Sequence, residues 1–391
     1  GGEKSAQAVL GAALSDPFEA AAYLAAGDHS AAAQKLGIQS AYDVICAGKG
    51  YALGRMNRTQ VDKLYGKSLR LSASQIDRQA ECRMSYFLKY GLRAKERKEA
   101  TVDPAEFGTY VHAVLENTAR CIRDRGGFQK VSLEETLEIA HRFSDEYTQE
   151  RFSQIASERL SYLFRRNIQE LDMVVRELWD ELSQAKYDPV DFELHFGEGG
   201  KMPAISIPAT SMNAALQGFV DRIDVFEVAG VKYFRVVDYK TGWKDFDYCD
   251  VFNGVGLQML LYLFALESGG QEVLGSKSIP AGVQYFPARV PYVTASSSND
   301  PQWIKDRQNQ WIRKGLLLHD EASLAAMDPS ENMEYLNCKR GKDGTLCGDL
   351  ADRSQMIQLK RYVMQVLKRI VNEIESGNVQ PNPYTRGSSH D

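Results

Sequence analysis

Long apolar runs are missing from this sequence. Nowhere does it offer the roughly 18 consecutive apolar residues that a membrane-spanning helix needs. Cysteine is scarce, with six in 391 residues: Cys46, Cys82, Cys121, Cys249, Cys338 and Cys347. None form a C-x-x-C pair, which argues against a closed zinc site of the usual spacing. So few scattered thiols fit a reducing cytosol, and hence a cytoplasmic protein, better than a secreted disulfide framework. Gly1-Gly2-Glu3-Lys4 brings neither an initiating methionine nor a signal peptide, so the chain is expected to be a fragment or a processed product. Positive charge is not in excess either, since 47 Lys and Arg against 52 Asp and Glu leave a net charge of −5. Bulk charge therefore does not announce a nucleic-acid binder, although a local basic cleft can sit inside an acidic whole. A complete P-loop is lacking as well: Gly66-Lys67-Ser68 ends like one, but Val61 stands where its first glycine belongs.

What is present is ordinary globular material, 43% hydrophobic and 25% charged. At roughly 100–200 residues per domain the length allows two or three domains, or one large domain with appendages. Residues 1 to about 65 are rich in Ala, Leu and Gly, with short helical stretches such as Asp16 to Asp28, and read as the tail of something larger. From Ser72 to Leu92 the spacing predicts an amphipathic helix behind serine caps, and Phe107 to Ile122 a second one. Phe128 to Asp188 contains no Gly or Pro, and Ser132 with Glu135 has capping-box spacing, so two or three long helices are expected there. Strands begin near Val190. Phe219–Phe226 and Val231–Tyr239 are β-branched and aromatic, a helix follows at Gly256–Glu267, and another strand lies near Ala281–Pro287. Residues 295–350 look polar and irregular, and Ser354 to Ile374 is strongly amphipathic.

The chemistry concentrates in the paired strands. With Ala229-Gly230 as a two-residue hairpin turn, Asp221 falls opposite Asp238, and Lys240 points to the same face. The neighbours of like parity are Phe219, Ile223, Val225, Phe234 and Val236, which makes that face core-like. Two facing carboxylates are costly to bury unless a cation neutralises them. A divalent metal explains the arrangement better than a structural ion pair, and hard oxygen ligands favour Mg²⁺ or Mn²⁺. Lys240 is then available to position the attacking water or to stabilise transition-state charge. Asp224 and Arg222 read as structural charges. The run Lys89 to Lys98 is basic and is a candidate for holding phosphates.

At these residues the sequence resembles a known family. The segments LQGFVDRID and VVDYKTG look like the metal-binding core of the PD-(D/E)XK nuclease superfamily in its RecB-like branch. FGTYVHAVLE resembles that branch's helix with a metal-binding histidine, and GLQMLLYLFAL its trailing Gln-x-x-x-Tyr helix. Beyond these, SASQIDRQAECRMSYFLKYGL and IESGNVQPNPY resemble the opening and closing segments of the nuclease domain in AddB-type subunits of bacterial ATP-dependent helicase/deoxyribonucleases. The resemblance covers about residues 71–384.

It implies Asp221 and Asp238 as metal ligands and catalytic acids, His112 as a further ligand, and Lys240 as the catalytic lysine. The Tyr239 backbone carbonyl would also face the metal. Gln258 and Tyr262, one helical turn apart, would brace the site or contact DNA, and Glu116 would lie just behind it. The implied fold is an α/β, restriction-endonuclease-like core: a central mixed sheet flanked by helices over residues 71–391, preceded by a helical remnant over residues 1–70. The implied function is Mg²⁺- or Mn²⁺-dependent hydrolysis of DNA, as a single-strand exonuclease partnered by an AddA-type helicase-nuclease in double-strand-break processing for recombinational repair. A non-catalytic DNA-binding or scaffolding module with an idle site, or a stand-alone RecB-like exonuclease, are the alternatives. AddB-type domains also carry a [4Fe-4S] cluster on four cysteines. Cys82 matches the first, and the others are expected to be missing from this chain, leaving the cluster incomplete.

Overall fold

The computed structural model describes residue 11 and residues 16–27, 29–49, 55–95, 104–152, 158–209, 211–275, 277–290 and 309–385. The chain forms two compact units, one of Gly1–Asn57 with Asn378–Gln380, the other of Arg58–Gly377 with Pro381–Asp391. In the small unit, helices α1 (Pro17–Ala26), α2 (Ser30–Lys35) and α3 (Gln39–Lys49) close around Ala20, Ala21, Leu24, Ala33, Ala41 and Tyr42. Asp16 starts α1 by accepting a 2.8 Å bond from the Phe18 amide, with Pro17 at the first helical position.

The large unit opens with α4 (Arg58–Tyr65) and β1 (Ser68–Leu71). The helix expected over Ser72–Leu92 has the expected start, a reciprocal capping box between Ser72 and Gln75, but it is not continuous. It divides into α5 (Ala73–Glu81), α6 (Arg83–Tyr86) and a π-helical turn over Phe87–Gly91, because Cys82 adopts an extended backbone at φ −164°, ψ 118°. Beyond the break Arg83 clasps Glu373 through two bonds of 2.7 and 2.8 Å, and Tyr86 is buried beside Tyr65 and Tyr90. Apolar spacing alone does not report such a turn, since it carries on across the break.

Three long helices follow: α7 (Pro104–Asp124), α8 (Leu133–Phe152) and α9 (Glu158–Gln184). Ser132 and Glu135 form the expected capping box at α8. Then come β2 (Asp188–Phe196), β3 (Ile205–Ile207), β4 (Asn213–Leu216), β5 (Gly218–Val228) and β6 (Val231–Lys240). These are followed by α10 (Tyr248–Asn253), α11 (Gln258–Gly269), α12 (Gln271–Leu274), β7 (Ser278–Pro287), β8 (Lys314–Leu318) and α13 (Glu321–Met327). The last elements are β9 (Cys338–Arg340), β10 (Leu346–Gly348), β11 (Leu350–Ala351) and α14 (Arg353–Glu375).

Six strands make the central mixed sheet, in the order β11-β8-β7-β6-β5-β2. The β6–β7 and β8–β11 pairs are parallel and the remaining pairs antiparallel. One face, with Val237, Tyr239 and Phe286, packs on α7, α8 and α9. Against the other lies α11, whose residues Met259 to Leu266 are all buried. The α/β core expected from the sequence is therefore the core observed. The expectation of irregular structure over residues 295–350 does not hold for its described part. There β8 is a sheet strand buried from Gly315 to Leu318, and α13 follows it. A strand covered on both faces loses the alternation by which strands are read from sequence.

Candidate active site

Ala229 and Gly230, at φ 50° and 75°, form the two-residue turn between β5 and β6. Positive φ at both central positions matches the right-handed twist of the flanking strands. Arg222 pairs with Val237 and Ile223 with Val236, and the same register brings Asp221 level with Asp238. Asp221 accepts a 2.9 Å bond from the Tyr239 amide. One strand further, Phe192 pairs with Arg222 and Leu194 with Val220, so Glu193 of β2 stands level with Asp221 from the other side. Glu193 holds φ at +47°, a left-handed conformation uncommon for such a side chain inside a strand.

Helix α7 brings His112 over these carboxylates, its Nδ1 3.3 Å from Asp221 Oδ2. Its ring meets Tyr239 edge-on at 5.6 Å. The helix is fixed to β2 by Arg120 and Arg123, which donate to the Phe192 and Val190 carbonyls and lie over the Phe192 ring. At its start, Gly108 packs beside Thr241, next after Lys240. Lys240 Nζ lies 2.5 Å from Asp238 Oδ2. Gln258, the first residue of α11, spans the site: its amide nitrogen reaches Asp238 Oδ1 at 3.4 Å and Tyr262 Oη at 3.3 Å, and its oxygen is 3.5 Å from Lys240 Nζ. Tyr262 fits because residue 218 is glycine, where a Cβ would stand 3.0 Å from its hydroxyl.

Electrostatics explain what such a cluster wants. Burial, and then the Asp238 charge, push the Asp221 carboxyl well above the usual range. Burial, followed by Glu116 and Asp238, raises Glu193. Burial lowers the His112 imidazole, despite the carboxylates, which favours the neutral ring with a free lone pair. His112, Glu193 and Asp221 present ligand atoms within 4.8 Å of one another, and they are the one such group among the described residues. Asp238 Oδ2, although beside Lys240, accepts no hydrogen bond of good geometry. A neutral imidazole, crowded carboxylates that resist ionisation and an unsatisfied buried oxygen fit a divalent cation.

The structure thus brings together His112, Asp221, Asp238, Lys240, Gln258 and Tyr262. The Tyr239 carbonyl engages His112. Glu116 lies near His112 and Glu193, but its carboxylate pairs with Arg120 at 2.5 Å. Sequence reading missed Glu193, whose only signal is an acid between Phe192 and Leu194 in an apolar strand. Phe219, assigned to a core-like face, is instead 52% exposed and stacks on His195 at 4.5 Å, because it lies beyond the cover of α11. Half-buried Cys82 caps the α5 break, and among the described residues no cysteine belongs to a group of three or more metal-capable side chains. These residues do not fit an iron–sulfur cluster. The basic run Lys89 to Lys98 is described only up to residue 95.

Comparison with known proteins agrees with this geometry. The profile of the PD-(D/E)XK nuclease superfamily matches residues 70–389. The B-type subunit of an ATP-dependent helicase/deoxyribonuclease from Acetivibrio thermocellus is 31% identical over 342 residues, covering 85% of this chain and 30% of that protein. Proteins of the same name from Ruminiclostridium cellulolyticum and Clostridium kluyveri are each 30% identical, over 350 and 335 residues, covering 85% and 83% of this chain. The chain spans about 30% of the length of these relatives.

Proposed function

The chain belongs to the PD-(D/E)XK nuclease superfamily, and from that premise we propose that it is a divalent-metal-dependent deoxyribonuclease domain, running from about residue 71, that hydrolyses single-stranded DNA. The observation that carries the reading is the convergence of Glu193, Asp221 and Asp238 from three adjacent strands beneath His112, with Lys240 at their side. His112, Glu193, Asp221 and Asp238 are the residues that would hold the cation, with Mg²⁺ or Mn²⁺ favoured by the oxygen-rich set. Bound there, a divalent cation supplies Lewis acidity toward the phosphodiester and its nucleophile.

The chain's own groups do the rest. Lys240 presents an ammonium at the edge of the acid cluster, where it orients a water and offsets negative charge developing on phosphate oxygens. Gln258 holds both Asp238 and Lys240, so the distance between acid and ammonium is fixed from α11. Tyr262 braces Gln258 from one turn on. The relatives' name supports a place in a helicase-nuclease complex, with an AddA-type helicase-nuclease as partner, acting on DNA in the cytoplasm during recombinational repair.

The test is digestion of labelled single-stranded DNA with Mg²⁺, Mn²⁺ or EDTA, comparing the chain with Asp238→Ala. Metal-dependent cutting that drops by about a hundredfold or more in the variant is expected, the scale of losing a group that stabilises transition-state charge. Equal cutting by both would remove these residues from the chemistry. No cutting by the parent chain in any metal would leave an idle DNA-binding module.

A further inference from the structure

Next to Lys240 the loop Thr241–Lys244 borders a pocket of about 390 Å³ that the hydrolytic reading leaves without a role. Its floor is apolar, from Phe286, Pro287 and Ile312, and Trp243 stands at its lip with 72% of its surface exposed. A tryptophan is the costliest side chain to leave in water, and this one is held out on a loop directly after a catalytic lysine. The charged lining residues are all basic: Lys240, Lys244, Arg289 and Lys314. Lys314 Nζ lies 5.8 Å from the indole centroid and 3.7 Å from Asp245 Oδ2, and the Arg289 guanidinium lies over Phe107 of α7. Lys240 Nζ belongs both to the pocket wall and to the acid cluster, so whatever fills the pocket is continuous with whatever is cut.

We propose that this pocket seats the nucleotide flanking the scissile phosphate of single-stranded DNA, with the Trp243 indole as the stacking platform for its base. The word scissile rests on the hydrolytic reading above; the stacking does not. Cations around an aromatic surface suit a base with phosphates on either side. The indole selects an unpaired strand because a base within a duplex already has both faces stacked and offers neither. The pocket accordingly distinguishes single strands from duplex at the cutting position.

The test uses the full 391-residue chain, in EDTA at low ionic strength so that no strand is cut, with fluorescein-labelled oligothymidylate read by anisotropy. Trp243→Ala is expected to weaken binding by about 5- to 150-fold, the range given by one lost base–aromatic stack. Trp243→Phe, which keeps a ring, should stay within about threefold of the parent. Oligonucleotides carrying one abasic site walked along the strand add a second axis. The parent chain should lose affinity at one position, and Trp243→Ala should be blind to it. Equal affinity of parent and Trp243→Ala, an abasic penalty identical in both, or an equal loss on blunt duplex would each overturn the proposal. Thermal midpoints of the variants should match the parent's, since so exposed a ring contributes little to the core. A parent that binds and senses the abasic site yet cuts nothing with Mg²⁺ or Mn²⁺ would sink the nuclease reading alone, whereas a parent that cuts, with Trp243→Ala binding equally well, would sink this one alone.

Discussion

Glu193 illustrates how a single residue can be positioned at a stability cost that only a ligand justifies. Its backbone is left-handed, which costs a non-glycine residue on the order of 1 kcal/mol or more. Its carboxyl is raised by burial and by two neighbouring acids, so its charge is borne unwillingly. Replacing Glu193 by Gln keeps the shape and removes the charge. We expect the metal-free protein to gain about 1 kcal/mol, within the range of stabilising changes at functional sites. Mn²⁺ affinity should fall about tenfold or more, which is at least the cost of losing an outer-shell partner. Thermal melts with and without Mn²⁺, beside titration calorimetry, read both, and an unchanged Mn²⁺ affinity would remove Glu193 from the cation site. Asp221, Asp238 and Lys240 were legible in the sequence because one tight turn sets their register. Glu193 was not, because its strand is brought alongside β5 by packing against α7, which no local pattern encodes.

At the scale of elements, α11 is the part that tethers the site, and its start is held by Asp77 of α5. The Leu257 amide donates to Asp77 Oδ1 at 3.3 Å, one residue before Gln258. Burial lifts Asp77 to about 6, against the pull of the Leu257 and Gly256 amides and of the Lys244 ammonium. The folded value therefore exceeds the ordinary 3.8, and the folded state holds its proton more tightly. Below about 4 both states are protonated and nothing is lost; as pH rises from about 4 to 6 folding stability declines, and above that the cost is complete. A shift of this size corresponds to about 1–3 kcal/mol once partial solvent access is allowed for. Asp77→Asn keeps an acceptor for the amides and removes the charge. Urea unfolding between pH 4 and 7 should show the variant lacking that share of the decline, and a parent–variant difference that is flat across the window would refute it. The helix itself was evident from its apolar run and the capping box from Ser72 and Gln75. The break at Cys82 was not, since it depends on Arg83 finding Glu373 some 290 positions away along the chain.

Across the large unit, one buried ionic network ties the helical layer to the sheet behind the candidate active site. Arg222, Arg235 and Arg313 are at most 1% exposed, and they close on Asp224 and Glu181, with four of the N–O contacts at 2.8–2.9 Å. Arg222 and Asp224 alternate with apolar residues on β5, a pattern that reads as a solvent face. The sequence therefore concealed that α7, α8 and α9 cover that face, and that the strands bearing Asp221 and Asp238 are anchored by charge on their reverse. Burial works against ionised Glu181, but Arg313, Arg235 and Arg222 together hold it at about 2. Its folded value thus lies below the ordinary 4.5, so its contribution is complete above about 4.5 and is lost as pH falls toward 2. Glu181→Gln leaves three guanidinium groups facing Asp224 and the partly exposed Glu177. Removing one partner of a buried pair costs about 3–5 kcal/mol, and that is the loss expected in urea unfolding at pH 7. The variant should also lose less further stability than the parent between pH 4.5 and 3, because the group responsible is gone. A loss below about 1 kcal/mol at pH 7, or an acid response equal to the parent's, would show that the network is not what holds β5 and β6 beneath the acid cluster.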